Sequence, residues 1–151
     1  MITDSVLGRL THQAAEDGVQ KLVVGAVVVQ DDAVLLLKRR PDDFMGGIYE
    51  LPSGNVESEE TLDAATAREL SEETGLTLVD IVDYIGSFDY DSSSGRRSRQ
   101  FTFLVTVDRT ERIALTEHDA YLWAPLDGEL PVTEEVKKLL VTWRKSPKPG
   151  A

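Results

Sequence analysis

The sequence predicts a layered α+β domain built on a mixed β-sheet, and three observations carry that expectation. Aliphatic and β-branched runs of strand length recur along the chain. Helical patterns with caps stand near the start, in the middle and near the end. The 151 residues, 41% hydrophobic and 28% charged, have the composition of one soluble globular domain. A chain of this length buries a core without staples, and it contains no Cys, which excludes disulfides, thiolate catalysis and cysteine-based metal centres.

In chain order, residues 4–16 read as a short helix with Asp4 or Ser5 as N-cap, Val6, Leu7 and Leu10 as its apolar side, and Gly18 beyond its end. Residues 21–30 and 33–38 read as two strands joined through Asp31 and Asp32 as a hairpin. A polar loop over 39–47 leads to a short extended piece, 48–51, stopped by Pro52. Residues 61–74 change to a helical pattern that Gly75 ends as a left-handed residue. Strands follow near 79–90, 99–107 and 120–124, the first two joined by the Ser/Gly turn 91–95. A last helix spans about 133–143, capped by Thr133, with Val136, Leu139, Leu140 and Trp143 on its buried side. Residues 1–20 stand as an N-terminal helical extension to a single domain over 21–144, and 145–151 as a frayed tail.

The longest apolar run, residues 22–29, is far shorter than the roughly 20 residues of a membrane helix. The N-terminus has neither the basic nor the apolar part of a signal peptide, so a cytoplasmic location is expected. The net charge of −11 argues against nucleic-acid polymers and anionic membranes as partners. Residues 57–73 hold seven carboxylates against Arg68 alone.

On a helix, Glu69, Glu72 and Glu73 stand at about 0°, 300° and 40°, so three carboxylates share one face. Ala64, Ala67 and Leu70 line the side roughly opposite and are expected to be its buried stripe. Like charges at these spacings weaken a helix by a few tenths of a kcal/mol per pair. A hard divalent cation removes that repulsion, and an oxygen-only donor set suits Mg²⁺ or Mn²⁺. A solvated acidic face is the alternative for such a run. The frame around it is specific, however: Gly54, Glu60, then Arg68-Glu69-Leu70-Ser71-Glu72-Glu73-Thr74-Gly75-Leu76. This resembles the Nudix box, G-x5-E-x7-R-E-U-x-E-E-x-G-U with U aliphatic, at every defined position. Residues 25–39, 47–54 and 115–125 also resemble the family, so that about two thirds of the chain is covered.

The resemblance implies a Nudix-like α/β/α sandwich with a mixed sheet. It also implies hydrolysis of a diphosphate bond in a nucleoside diphosphate derivative, with Mg²⁺ or Mn²⁺ and an attacking water. Glu69 and Glu73 are then the main metal ligands, Glu72 assists, and a backbone carbonyl near Ser53 completes the shell. Ser53 replaces a Gly common in the family, without loss, since only its carbonyl is asked for. Arg68 orients the carboxylates, and Glu60 sits beside them and strengthens the cluster. The general base is a box Glu such as Glu69, or Glu117 from a later loop, where an ordinary loop carboxylate is the alternative. His118 is expected to be a loop or packing residue. Clustered carboxylates are expected to raise one another's pKa and favour activity at neutral to alkaline pH.

For the substrate, Arg39 matches the position where the family often contacts phosphate. Arg99 is a second candidate, and Tyr49, Phe44, Phe88 and Phe101 are candidates for stacking on a base. A nucleoside triphosphate, cleaved to the monophosphate and pyrophosphate, is the first reading of this small-molecule site. ADP-ribose, a nucleotide sugar or a dinucleoside polyphosphate is the second, to which a homodimer formed through residues 1–20 would lend support. A non-catalytic nucleotide-sensing module is the third, disfavoured because all box carboxylates are present.

Overall fold

The computed structural model describes residues 2–41, 48–92, 94–110, 113–116 and 118–145. The chain runs α1 (Asp4–Glu16), β1 (Lys21–Gln30), β2 (Ala33–Arg39), β3 (Tyr49–Glu50), β4 (Ser53–Asn55), α2 (Leu62–Thr74), β5 (Thr77–Asp91), β6 (Arg97–Asp108), β7 (His118–Pro125) and α3 (Glu134–Lys145). The strands form one mixed sheet in the order β3-β2-β1-β6-β5, with β4 beside β1 and β7 beside β2. β1 and β6 run parallel, whereas the other pairs are antiparallel.

Pleating separates two cores. Val24, Ala26 and Val28 of β1, Leu35 and Leu37 of β2, and Phe101, Phe103 and Val105 of β6 face α1 and α2. Val27 of β1 with Val34 and Leu36 of β2 face the other way and pack with Val136 and Leu140 of α3. Alternate residues of the same strands are thus buried on opposite faces, which is the period-two signature of a sheet covered on both sides. The α/β/α layering expected from the sequence is what the chain adopts.

The β1–β2 hairpin turns at Asp31 and Asp32, both at positive φ (52° and 61°), as a two-residue turn matched to strand twist requires. Gly75 ends α2 at φ 75°. Several boundaries differ from expectation. The N-cap of α1 is Thr3, whose side chain accepts from the Val6 N–H, rather than Asp4 or Ser5. β5, β6 and β7 each extend beyond their expected ends. β4 was not anticipated, because Pro52 reads as a stop; in the fold the Pro52 carbonyl accepts from Ala26 N–H and the chain resumes pairing with β1.

α1 packs directly on the first core through buried Leu7 and Ala14, and Ile2 N–H donates to the Ile81 carbonyl of β5. One larger difference from expectation bears on function. α2 buries Leu62, Ala65, Thr66, Leu70, Glu73 and Thr74, while Ala64 is exposed. The expected stripe of Ala64, Ala67 and Leu70 is therefore displaced, because the carboxylate face borders the buried face instead of opposing it. Glu73 lies at only 5% exposure for that reason.

Candidate active site

Arg68 organises the acidic end of α2. Its Nε and Nη2 donate to the two oxygens of Glu60 at 2.7 and 2.9 Å. Nη1 reaches Glu69 Oε1 at 2.8 Å and Glu72 Oε2 at 3.3 Å, and Nη2 also donates to the Asn55 carbonyl at 2.8 Å. One guanidinium thus ties α2 to β4 and lies between carboxylates that would otherwise repel. Its hydrogen bonds to Glu60 hold that carboxyl at about pKa 2 despite burial, with help from the Glu57 N–H. The same bond raises the Arg68 pKa above its ordinary value. At Glu60 the shift is therefore opposite to the rise expected for clustered carboxylates: it counterbalances Arg68 rather than enlarging the anionic cluster.

A lowered pKa means that the folded state binds fewer protons here than the unfolded chain. The stabilisation is complete above the ordinary value of 4.5 and disappears as pH falls toward 2. Denaturant melts across that window should show Glu60→Gln losing less stability with acid than the wild type. Parallel acid profiles would contradict the pairing.

Glu73 turns toward β4, where its Oε1 accepts the Ser53 N–H at 3.0 Å. Ser53 stands opposite Gly25 in the β1–β4 ladder. The neighbouring bonds, Ala26 N–H to Pro52 O and Val56 N–H to Leu22 O, fall on the alternate pairs. By the antiparallel alternation, the Ser53 N–H and carbonyl both point away from β1, toward Glu73. Gly54 is closer still: a Cβ there would lie 2.0 Å from Glu69 Cδ, so only a glycine leaves room for that carboxylate.

This donor set fits a hard divalent cation in its chemistry. Three carboxylates and a backbone carbonyl offer oxygen donors at the junction of α2 and β4. Among the described residues no three His, Asp or Glu side chains are gathered closely enough to hold a metal ion by themselves. An open donor face of this kind suits an ion that keeps water and shares ligands with a substrate phosphate.

Two adjoining clefts meet at this point. A polar one of about 440 Å³ is walled by Glu69, Glu72, Glu73, Ser53, Gly54 and Asn55, and also by Lys21, Arg39, Glu50, Gln100 and His118. A more apolar one of about 260 Å³ is lined by Ile48, Tyr49, Leu51, Phe88 and Val136, with Arg39, Glu50, Ser53, Tyr90 and Gln100 shared between the two. The Phe88 and Tyr90 rings lie 5.9 Å apart, and burial raises the Tyr90 phenol above its ordinary pKa. Arg39 is ion-paired to Glu50 through Nε at 3.0 Å.

The expected box residues Glu60, Arg68, Glu69, Glu72, Glu73 and Ser53 are thus together, with Arg39 beside them and Tyr49 in the apolar cleft. Arg99 stands apart. Its Nε and Nη2 grip Asp89 at 2.6 and 3.0 Å, lowering that carboxyl's pKa, and its Nη1 reaches Asp17 at 2.9 Å, joining β5 and β6 to the end of α1; the Asp17 carboxyl is lowered first by its hydrogen bond from Gln13 and then by Arg99. It lines neither cleft. Phe101 is in the core at 1% exposure, so it is not a stacking surface. Glu117 and Phe44 lie outside the described residues. His118 is no loop residue: it opens β7, is buried, and its Nε2 meets Glu50 Oε2 at 2.7 Å. Glu50, Gln100, Tyr90 and Lys21 were not anticipated, since pairing of strands distant in sequence brings them to the clefts.

Comparison with known proteins agrees with this architecture. The family model described as NUDIX domain matches residues 19–141. The chain is similar to an ADP-ribose pyrophosphatase of Methanocaldococcus jannaschii, at 42% identity over 55 residues, covering 36% of this chain and 32% of that protein. It is also similar to the CTP pyrophosphohydrolase of Escherichia coli, at 31% identity over 101 residues, covering 67% and 73% of the two chains. The chain spans about a third to two fifths of the length of several curated relatives that it matches. A solved MutT protein from Methanosarcina mazei superposes with a TM-score of 0.72 at 25% identity, covering 83% of this chain and 93% of that one. No helix among the described residues is long and apolar enough to cross a membrane.

Proposed function

This chain belongs to the Nudix family, and from that premise we propose that it is a hydrolase of phosphoric anhydride bonds acting on nucleoside triphosphates. The observation that carries the reading is the pair of adjoining clefts, one walled by the box carboxylates and Arg39, the other by aromatic and aliphatic side chains. A polyphosphate suits the first, a base the second, and the shared residues lie where the two halves of a nucleotide join. Among the relatives, the CTP pyrophosphohydrolase, matched over most of its length, lends support to a triphosphate.

Glu69, Glu72, Glu73 and the Ser53 carbonyl would hold Mg²⁺ or Mn²⁺. Such a cation, when bound, neutralises phosphoryl oxygens and makes a bound water more acidic. Arg39 contacts the polyphosphate while Glu50 holds its Nε edge, and Tyr49, Phe88 and Tyr90 exclude water around the base. Arg68 holds Glu69 and Glu72 in place through its Nη1 hydrogen bonds. A carboxylate, Glu69 of the box or Glu117 outside it, takes the proton of the attacking water. That water adds to phosphorus as the bridging P–O bond breaks, giving a nucleoside monophosphate and pyrophosphate.

The test is product chromatography on a panel of nucleoside triphosphates, ADP-ribose, nucleotide sugars and dinucleoside polyphosphates with Mg²⁺. Monophosphate and pyrophosphate should appear together from triphosphates, without free phosphate as first product. Efficient cleavage of ADP-ribose with triphosphates untouched would move the substrate to the second class and leave the bond type standing.

A further inference from the structure

We propose that His118 is a positioning residue for substrate binding, acting through Glu50 on Arg39. The inference rests on the reading of Arg39 as the phosphate contact and deepens it.

The ladder between β2 and β7 carries an irregularity at its Arg39 end. Leu37 pairs with Tyr121 and Lys38 with Ala120, but Arg39 pairs with His118, so the register slips by one residue and Asp119 is the extra one. Without that bulge Asp119 would stand opposite Arg39. A bulge reverses the pleat locally and re-aims the side chains beyond it, and such irregularities collect beside active sites. Here it sets an imidazole on the cleft wall where regular alternation would set a carboxylate.

The imidazole then meets a carboxylate already in use. Glu50 Oε2 accepts from His118 Nε2 at 2.7 Å, and Glu50 Oε1 faces Arg39 Nε at 3.0 Å. One oxygen of the carboxylate is hydrogen-bonded to His118 and the other is ion-paired with Arg39, so Glu50 is held from two sides and biases where the guanidinium lies. The His118 side chain is only 5% exposed. Its Nδ1 is buried with no hydrogen-bond partner among the described residues. With a carboxylate as acceptor, the ring donates through Nε2. A buried imidazole held this way costs desolvation that packing alone does not require, since an aliphatic residue fills the space without a polar atom. All three side chains line the polar cleft, so what the arrangement positions is a cationic group on the wall of the cleft that the box carboxylates share.

The experiment compares His118→Leu with His118→Gln, whose amide nitrogen can stand where Nε2 does and donate to Glu50. His118→Leu should raise KM for a nucleoside triphosphate about tenfold with kcat within about twofold, and His118→Gln should recover most of the loss. In an Arg39→Ala background the leucine substitution should add little, because the two act on one contact. Equal loss in both His118 variants, a change confined to kcat, or full additivity with Arg39→Ala would overturn the proposal. So would a nitrogen-15 spectrum of the wild type, which has only two His to assign, showing His118 protonated at Nδ1 rather than Nε2. If no triphosphate is hydrolysed at all, the substrate reading fails by itself. Calorimetric binding of inorganic tripolyphosphate to wild type, His118→Leu and His118→Gln then decides the positioning role, which predicts weakening in the first variant and recovery in the second.

Discussion

Glu73→Gln is expected to lower kcat by about a hundredfold or more while leaving the melting temperature nearly unchanged. The two halves of this expectation come from different atoms. Gln keeps an oxygen that accepts the Ser53 N–H, which Glu73 does now at 3.0 Å, so the tie between α2 and β4 survives. What is lost is a negative charge on a donor face read as the cation site. Loss of a partner in the outer shell of a metal costs about 10–100-fold, and a direct ligand belongs at or above the top of that range. Removing one like charge beside Glu69 and Glu72 also relieves repulsion along the helix, which favours the fold slightly. Millimolar Mg²⁺ should raise the melting temperature of the wild type, because only the folded chain gathers the carboxylates, and the rise should shrink in the variant. Rate assays and melts on both proteins decide it. Retained turnover, or a wild type whose melt ignores Mg²⁺, would remove Glu73 from the ligand set.

How far the sequence displays this site depends on how local each contact is. Glu69, Glu72, Glu73 and Arg68 lie within six residues of one helix, so helical periodicity alone groups them. Gly54, Glu60 and Ser53 lie farther off, and the spacing of the box supplies them. The strands were legible because β-branched runs and paired Asp residues in a tight turn are short-range signals. The rest required tertiary pairing. Glu50 reaches Arg39 because β3 pairs with β2, and His118 reaches both because β7 pairs with β2 through a bulge. No local pattern encodes that slip of register. Arg99 misleads for the same reason: an arginine after a flexible turn looks available to substrate until β5 places Asp89 opposite it. The buried stripe of α2 was displaced because hydrophobicity counted Ala64 as interior, whereas the fold spends that interior on Glu73.

Gly54→Ala should cost as much activity as removing a ligand, although it touches no charge. A methyl at residue 54 would stand 2.0 Å from Glu69 Cδ and within 2.4 Å of both its oxygens, far inside contact distance. β4 has little freedom to retreat, since Gly54 is paired with Val24 in the ladder. The far end of Glu69 must swing away instead. That breaks the 2.8 Å bond to Arg68 Nη1 and carries the carboxylate off the donor face. Displacements of about 1 Å in a catalytic constellation can cost on the order of a hundredfold, and that is the expected loss in kcat/KM. The fold should survive with a modest fall in melting temperature, because a flexible side chain can absorb the clash. Gly8→Ala provides the matched control: it lies in α1 with no atom within 4 Å of an added Cβ. There the same substitution should leave activity unchanged and raise stability by up to about 1 kcal/mol, as alanine does in an exposed helix. Measured side by side, near-wild-type activity in Gly54→Ala would show that Glu69 does not work from the position it holds against β4, and the donor face would have to be redrawn around Glu72 and Glu73.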